Sequence, residues 1–165
     1  MRHFLASGCL AFTQAPLTLD AVRYLAGLIT GALRGAAKDE LLAPHYSPRP
    51  GLWESVALKP RIRDVAAGSW RGRKPRAIVT GAHAAATALE AALWAFERGS
   101  NPRDCLVAAT GLGGGADTTG AIVGQLAGAH YGAAALPSHW RAMLARGDEI
   151  EALADSLFET ARKPG

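Results

Sequence analysis

The sequence predicts an all-α fold, a multi-helix globule that forms one domain over residues 1–165. Hydrophobic residues make up 49% of the chain and charged residues 19%, which is the balance of a protein with a buried core. Alanine is abundant and aromatic residues are few, which favours helices over sheets. Apolar residues recur at helical spacing in several segments, and we find no alternating strand pattern of useful length.

The first predicted helix lies in "LTLDAVRYLAGLITGALRG", with Thr18 as its cap and Gly35 as its end. One apolar face of this helix is expected to consist of Val22, Leu25, Ile29 and Leu33. A short helix is predicted from Lys38 to Leu42. The proline-rich segment "APHYSPRPGLW" is predicted to be irregular, and a helix is predicted from Arg61 to Ala67.

A long alanine-rich helix is predicted from Ile78 to Arg98, and Gly99 ends it. Its buried face is expected to contain Leu89, Leu93 and Phe96. The segment "SNPRD" predicts a new helix start, because Asn101 can cap the helix and Pro102 suits the first helical position. This helix is predicted to run to Thr110.

Two further helices are predicted, from Thr118 to Tyr131 and from Asp148 to Ala161, with a turn at "ALPSHW" between them. The glycines of the first recur every four residues and make a flat face for tight packing: Gly120, Gly124 and Gly128. The apolar residues of the second share one face: Ile150, Leu153 and Leu157.

Charge and composition limit the function classes. The net charge is +4, and six basic residues lie in "RIRDVAAGSWRGRKPR", which can hold phosphates but is more often a solvated loop. No signature of a nucleic-acid-binding module and no run of 18 apolar residues is present, so we expect neither nucleic acid nor a membrane as partner. Cys9 and Cys105 have no disulfide spacing, and the N-terminus is too short and polar for a signal peptide, so the cytoplasm is expected.

The segment "GLGGGADTTGAIVG" contains the strongest functional pattern. Glycines before a helix let a ligand approach the backbone N–H groups at its positive end, which suits an anion such as pyrophosphate. Asp117 and Thr118 add hard oxygen ligands for a divalent cation such as Mg²⁺. The structural alternative is that Asp117 only caps the helix and the glycines only make a turn. The segment has neither the ending of a P-loop nor the spacing GxGxxG.

The stretch "GGGADTTGAIVGQLAGAHYG" resembles the C-terminal signature of the ADP-ribosylglycohydrolase family, of the dinitrogenase-reductase-activating type. The segments "VAAGSWRGR", "LEAALWAFERG" and "LPSHWRAMLARGDEIEALADSLF" are similar to other blocks of that family. The resemblance implies an all-α fold and hydrolysis of ADP-ribosyl bonds. It also implies a pair of divalent metal ions, Mg²⁺ or Mn²⁺, and ADP-ribose or an ADP-ribosylated substrate as ligand.

Carried onto this sequence, the resemblance implies that Asp117 and Thr118 are metal ligands. It also implies that the ADP-ribose lies close to the loop glycines, which are Gly113, Gly114 and Gly115. The sequence departs from the family at Gly115, where the motif has its first aspartate. The family's Gly-Asp-Ala-x-Gly and Thr-Asp-Asp motifs, which supply further metal ligands and the acidic catalytic residue, do not occur here. No catalytic residue is therefore assigned to this chain.

These departures predict a truncated copy with little or no glycohydrolase activity alone, because one carboxylate cannot replace the ligands of a metal pair. Two alternatives stay open: a non-enzymatic binder of ADP-ribose or another nucleotide, and a half-protein completed by another chain. We also expect an uncovered apolar face and self-association. Elsewhere, Glu90 is expected to be ion-paired or at the surface, and Cys105 to lie in the core.

Overall fold

The computed structural model describes residues 16–73 and 84–162. These two ranges contain no strand, so the all-α prediction is confirmed. One 3-10 turn, Ala133–Ala135, accompanies nine α-helices in the same ranges. The helices, in chain order, are α1 (Pro16–Leu33), α2 (Lys38–Leu41), α3 (Leu52–Ser55), α4 (Pro60–Ala67), α5 (Ala84–Arg98), α6 (Pro102–Thr110), α7 (Ala116–Tyr131), α8 (Ser138–Ala142) and α9 (Gly147–Arg162).

Four helices form the core. Helix α7 packs against α1, α5 and α6, and α4 covers one side by packing against α1 and α5. The largest fully buried side chains come from all of these elements and include Leu28, Ile62, Phe96 and Leu126. Burial of each such side chain contributes roughly 1.5–3 kcal/mol, so the apolar faces of these helices hold them together.

Helix α1 differs from its prediction in both its start and its buried face. It begins at Pro16, so Thr18 lies inside the helix and is not its cap. The buried face contains Leu25 but is otherwise built from residues such as Tyr24 and Leu28, while Leu33 is 71% exposed. The predicted stripe is therefore confirmed at Leu25 and in part at Ile29, which packs against the core, and is wrong at Leu33, which lies in the last turn of the helix.

The predicted end of α1 is confirmed. Gly35 adopts a φ of 85°, which a glycine reaches without the steric cost of a Cβ. The N–H of Ala36 donates to the carbonyl of Gly31, and the N–H of Gly35 donates to the carbonyl of Ala32, both at 3.0 Å. This pair of bonds is the Schellman motif, and it satisfies carbonyls that the helix end would otherwise leave free.

The predictions for α5 and α6 are confirmed within the described chain. The face formed by Leu89, Leu93 and Phe96 is buried. The predicted start at Ile78 lies outside the described residues. The side chain of Asn101 accepts the N–H of Asp104 at 2.9 Å, and Pro102 follows it as the first helical residue. Cys105 is buried, as expected.

The junction between α5 and α6 is closely packed, and its backbone carbonyls accept hydrogen bonds from neighbouring elements. The Lys38 ammonium donates to the carbonyls of Glu97 and Gly99 and lies 5.1 Å from the centre of the Phe96 ring. The Tyr131 hydroxyl also donates to Gly99, at 3.0 Å. Two distant elements therefore attach to the carbonyl end of α5, where a positive charge interacts favourably with the helix dipole.

Two parts of the chain are more helical than predicted. The short helix α3 lies in the proline-rich segment, where Trp53 Nε1 donates to the carbonyl of Tyr46 at 2.8 Å and anchors the turn. The segment predicted as a turn before the last helix contains the short helix α8. None of the helices described is long and apolar enough to cross a membrane.

Gly99→Ala tests the close approach at the α5–α6 junction. A Cβ on Gly99 would lie 2.5 Å from the backbone nitrogen and 2.8 Å from the Cα of Cys105, so the backbone itself must move. We expect the free energy of unfolding to fall by about 3 kcal/mol, as for an overpacked core. Chemical denaturation followed by circular dichroism measures it.

Gly128→Ala is the matched control, because a Cβ there would meet no atom within 4 Å inside α7. Alanine is the better helix former, so this change should raise the free energy of unfolding by roughly 0.5–1 kcal/mol. Equal effects of the two substitutions would contradict the packing described at Gly99.

Candidate functional site

The glycine loop connects α6 to α7, two helices that pack against each other. Gly113 and Gly114 have φ values of 73° and 61°, in the left-handed region that favours glycine. The loop therefore turns in very few residues and leaves its backbone uncovered by side chains. Its glycines from Gly113 to Gly115 are exposed.

Helix α7 begins without a side-chain cap. Its N-cap residue is Gly115, which has no side chain, and the N–H of Thr119 donates to the carbonyl of Gly115 at 2.9 Å. Asp117 is the second residue of the helix, so the interpretation of Asp117 as its cap is wrong. The carboxylate instead lies in the first turn, where the helix dipole favours negative charge.

Asp117 and Thr118 lie next to each other at the exposed start of α7. A Cβ on Gly115 would lie 4.0 Å from Asp117 Oδ1 and would meet no other neighbour within that distance. The carboxylate of Asp117 therefore extends towards the position where the family motif has its first aspartate. The structure brings the five predicted site residues together at one surface: Gly113, Gly114, Gly115, Asp117 and Thr118.

The donor set around Asp117 does not by itself fit a metal pair. Within residues 16–73 and 84–162, no three side chains of His, Cys, Asp or Glu gather closely enough to hold a metal ion. A divalent cation of the Mg²⁺ type needs about six oxygen ligands, usually with more than one carboxylate. The described residues therefore do not form a complete site of this kind.

His130 lies at the opposite end of α7 from Asp117, about 20 Å away at 1.5 Å per residue. Its ring packs edge-on against Phe96, with 5.6 Å between the ring centres. Burial, aided by the charge of Lys38, lowers the pKa of His130. His130 is thus a packing residue of the core edge, and His83 lies outside the described residues.

Two arginines of the basic stretch bind a buried carboxylate in the part that the structure describes. Arg61 and Arg73 both pair with Glu90, which is 1% exposed, and Ser69 donates to the same carboxylate. Arg71 lies over the ring of Trp70, 4.7 Å from its centre. Two of the described cations are therefore held by a buried carboxylate, whereas Arg63 and Arg71 are exposed.

Glu90 is a buried ionic residue that the sequence analysis placed only in part. It was expected to be ion-paired or exposed, and it is ion-paired and buried. Burial of a carboxylate is costly unless charges and hydrogen bonds compensate it. The signal was a single acid inside the apolar run "AATALEAALWAF", which requires a basic partner from elsewhere in the chain.

Comparison with known proteins identifies the family of this all-α chain. Residues 5–165 match the family model described as ADP-ribosylglycohydrolase, and the chain belongs to this family. The ADP-ribosylarginine hydrolase Tri1 of Pseudomonas putida (strain GB-1) is 35% identical over 97% of this chain and 42% of its own length. A solved structure, an ADP-ribosylglycohydrolase-related protein complex, matches with a TM-score of 0.72 and 40% identity, over 86% of this chain and 46% of that one.

Two further similarities agree. The Tri1 protein of Serratia proteamaculans (strain 568) is 30% identical over 89% of this chain and 37% of its own length. The ADP-ribosyl-[dinitrogen reductase] glycohydrolase of Rhodospirillum rubrum is 50% identical over a shorter stretch of 42 residues. The chain therefore spans less than half the length of the relatives that it matches along most of its sequence.

Glu90→Ala tests the buried ion-pair network. The change removes the buried carboxylate that two partly exposed guanidinium groups share, so we expect the free energy of unfolding to fall by about 1–3 kcal/mol. Urea denaturation in low salt and in 1 M salt measures it. The loss should persist in high salt, because salt screens buried charges far less than exposed ones.

Glu97→Ala is the control on the same helix, since the side chain of Glu97 is only half-buried. A change below about 0.5 kcal/mol is expected there, as for other surface substitutions. A Glu90→Ala protein as stable as the control would show that the network contributes no stability.

Proposed function

We propose that the start of α7 forms the part of an ADP-ribosyl glycohydrolase site that contacts the ADP-ribose. The observation that carries this proposal is the uncapped helix start behind two left-handed glycines, with Asp117 and Thr118 exposed beside it. Free backbone N–H groups at a helix start bind anions, and glycines let a pyrophosphate come within hydrogen-bond distance. The family membership of the chain supports this assignment.

The proposed substrate class is ADP-ribose attached to a side chain, with ADP-ribosylated arginine as the first candidate. The support is the similarity to the two Tri1 proteins, which are named as ADP-ribosylarginine hydrolases. We propose that this chain binds and orients the substrate. The loop would hold the phosphates, and the Asp117 carboxylate with the Thr118 hydroxyl would contribute oxygen ligands to one side of a divalent-cation site.

We further propose that hydrolysis requires carboxylates from outside the described residues. Asp117 alone cannot compensate the hydration that two divalent cations lose on binding. Mg²⁺ or Mn²⁺, when held by a complete ligand set, would organise the ribose hydroxyls and polarise a water. A complementing chain, or a longer form of this polypeptide, would supply those groups. The proposed compartment is the cytoplasm, where reducing conditions keep the Cys105 thiol free.

Calorimetry with ADP-ribose tests the proposed site. We expect the chain to bind ADP-ribose and Asp117→Asn to weaken the Mg²⁺-dependent part of that binding about tenfold, because one charged ligand is lost. Asp39→Asn is the matched control, since Asp39 is also an exposed acid in the first turn of a helix. It should leave binding unchanged.

The same titrations separate the alternatives. Binding that is equal with and without Mg²⁺, and equal in Asp117→Asn, would favour a non-enzymatic binder. Absence of any ADP-ribose binding would contradict the site. An assay of ADP-ribose release from ADP-ribosylated arginine, with Mg²⁺ or Mn²⁺ present, completes the test, because rapid turnover by the chain alone would contradict the need for further carboxylates.

Gly115→Asp is expected to add metal affinity. Gly115 has a φ of −78°, which any residue adopts, and its Cβ position faces only Asp117 Oδ1, at 4.0 Å. A second carboxylate there would share a cation with Asp117, so Mn²⁺ should bind at least about tenfold more tightly by calorimetry. Gly115→Asn has the same shape without the charge and is the control. Equal affinities in the two variants would argue against a cation at this position.

A further inference from the structure

Two basic side chains meet at the ring of Phe96, a buried residue near the end of α5. The Lys38 ammonium lies 5.1 Å from the centre of this ring, and the His130 ring lies edge-on to it, with 5.6 Å between the ring centres. Lys38 belongs to α2, and His130 belongs to the last turn of α7. A positive charge on His130 would therefore lie beside the charge that Lys38 already carries.

Lys38 occupies the position at this junction that best accommodates a cation. Its ammonium donates to the carbonyls of Glu97 and Gly99, at the end of α5 where the helix dipole favours positive charge. The His130 ring packs instead against two aromatic rings. The dipole of α7 also favours a cation in its last turn, but burial of the ring and the charge of Lys38 outweigh it and lower the pKa of His130.

The helices that pack against α7 bring little negative charge to offset a proton on His130. Helix α6 carries Asp104 in its first turn, where the carboxylate accepts hydrogen bonds from Asn101 at 2.8 Å and from Ser100 at 3.2 Å. Arg103 lies 3.6 Å from the same carboxylate, so this acid is already compensated. Helix α1 adds no charge at this end, because residues 25–33 contain no ionisable side chain.

The remaining titratable groups at the junction leave its charge nearly unchanged. Burial raises the pKa of the Cys105 thiol and of the Tyr131 hydroxyl, so both groups stay neutral at the pH where a histidine titrates. Glu97 and Arg98 stand next to each other in the last turn of α5, and their opposite charges add little net charge. Lys38 is therefore the charge that a protonated His130 meets.

We infer that the contact of His130 with Phe96 is an acid-sensitive attachment of α7 to the end of α5. The neutral imidazole packs against the Phe96 ring and leaves Lys38 as the cation of the junction. A protonated imidazole is partly removed from water and lies beside the Lys38 charge, so the end of α7 is attached less tightly. This inference does not depend on the proposed function.

The direction of the pH dependence follows from the lowered pKa of His130. In the unfolded chain this histidine has its ordinary pKa of about 6.5. As the pH falls below about 6.5, the unfolded chain binds the proton before the folded chain does, which favours unfolding. The loss of stability is therefore absent well above that pH and grows as the pH falls towards the pKa of the folded protein.

Titration of the histidine side chains by NMR tests the first step in the intact chain. His130 should gain its proton at a lower pH than His139, which is an exposed histidine of α8. Lys38→Met keeps an apolar stem and removes the charge, so it should move the titration midpoint of His130 towards that of His139. Coincident midpoints of the two histidines in the wild-type chain would overturn the inference.

Urea denaturation at about pH 7.5 and at about pH 5.5 tests the consequence for stability. The urea midpoint should fall further between these two conditions in the wild-type chain than in His130→Phe, because phenylalanine keeps a ring contact and gains no proton. His139→Asn is the matched control and should retain the full wild-type difference. His130→Asn gives the same comparison if the larger ring prevents folding. A pH difference as large in the His130 variants as in the wild type would contradict the proposed attachment.

Discussion

Close packing around α7 is the constraint on which the rest of the structure depends. Helix α7 contacts α1, α5 and α6, and its side chains Val123 and Leu126 are fully buried between them. Helix α6 contacts the same helix on its glycine side. Cβ positions on Gly120 and Gly124 would lie 3.8 Å from Thr110 and 3.6 Å from Leu106, at ordinary van der Waals distance, so the helix surfaces are already in contact there. Because α7 is fixed by this packing, the position of its first turn is fixed too.

A few charged side chains join the helices in addition to the apolar packing. Glu90 holds Arg61 and Arg73 against α5, and Lys38 binds the carbonyl end of the same helix. Each charge is compensated by hydrogen bonds or an opposite charge, as burial requires. The consequence for function is that these cations belong to the scaffold. The glycine loop and the first turn of α7 are exposed and take no part in these contacts.

Much of the fold could be predicted from the sequence, because its signals are local. Asn101, Pro102 and Gly35 mark helix ends through the hydrogen bonds and dihedral angles that they allow, and each prediction is confirmed. The face of α1 could not be placed correctly, since the helix has apolar residues on more than one side and only its neighbours decide which side is buried. Leu33 is an example, because it was predicted to lie on the apolar face and is exposed.

The candidate site could be recognised from its sequence motif. Whether the chain supplies all the ligands that a metal pair needs could not be derived from residue spacing. The motif around Asp117 places two oxygen ligands side by side, whereas the ligands that a metal pair needs meet only through tertiary structure. Glu90 illustrates the same limit, because its partners lie 17 to 29 residues away along the chain. Local rules identify such a residue as unusual without naming what it binds.

The connection between α1 and α7 has a consequence for the route by which the chain folds. Helices α6 and α7 are joined by one short loop, so bringing them into contact costs the chain little conformational entropy. Contact between α1 and α7 must close a segment of roughly 80 residues, and loops of that length form late in folding. Contact between α6 and α7 therefore has the lower entropic cost of loop closure, and docking of α1 onto α7 has the higher one.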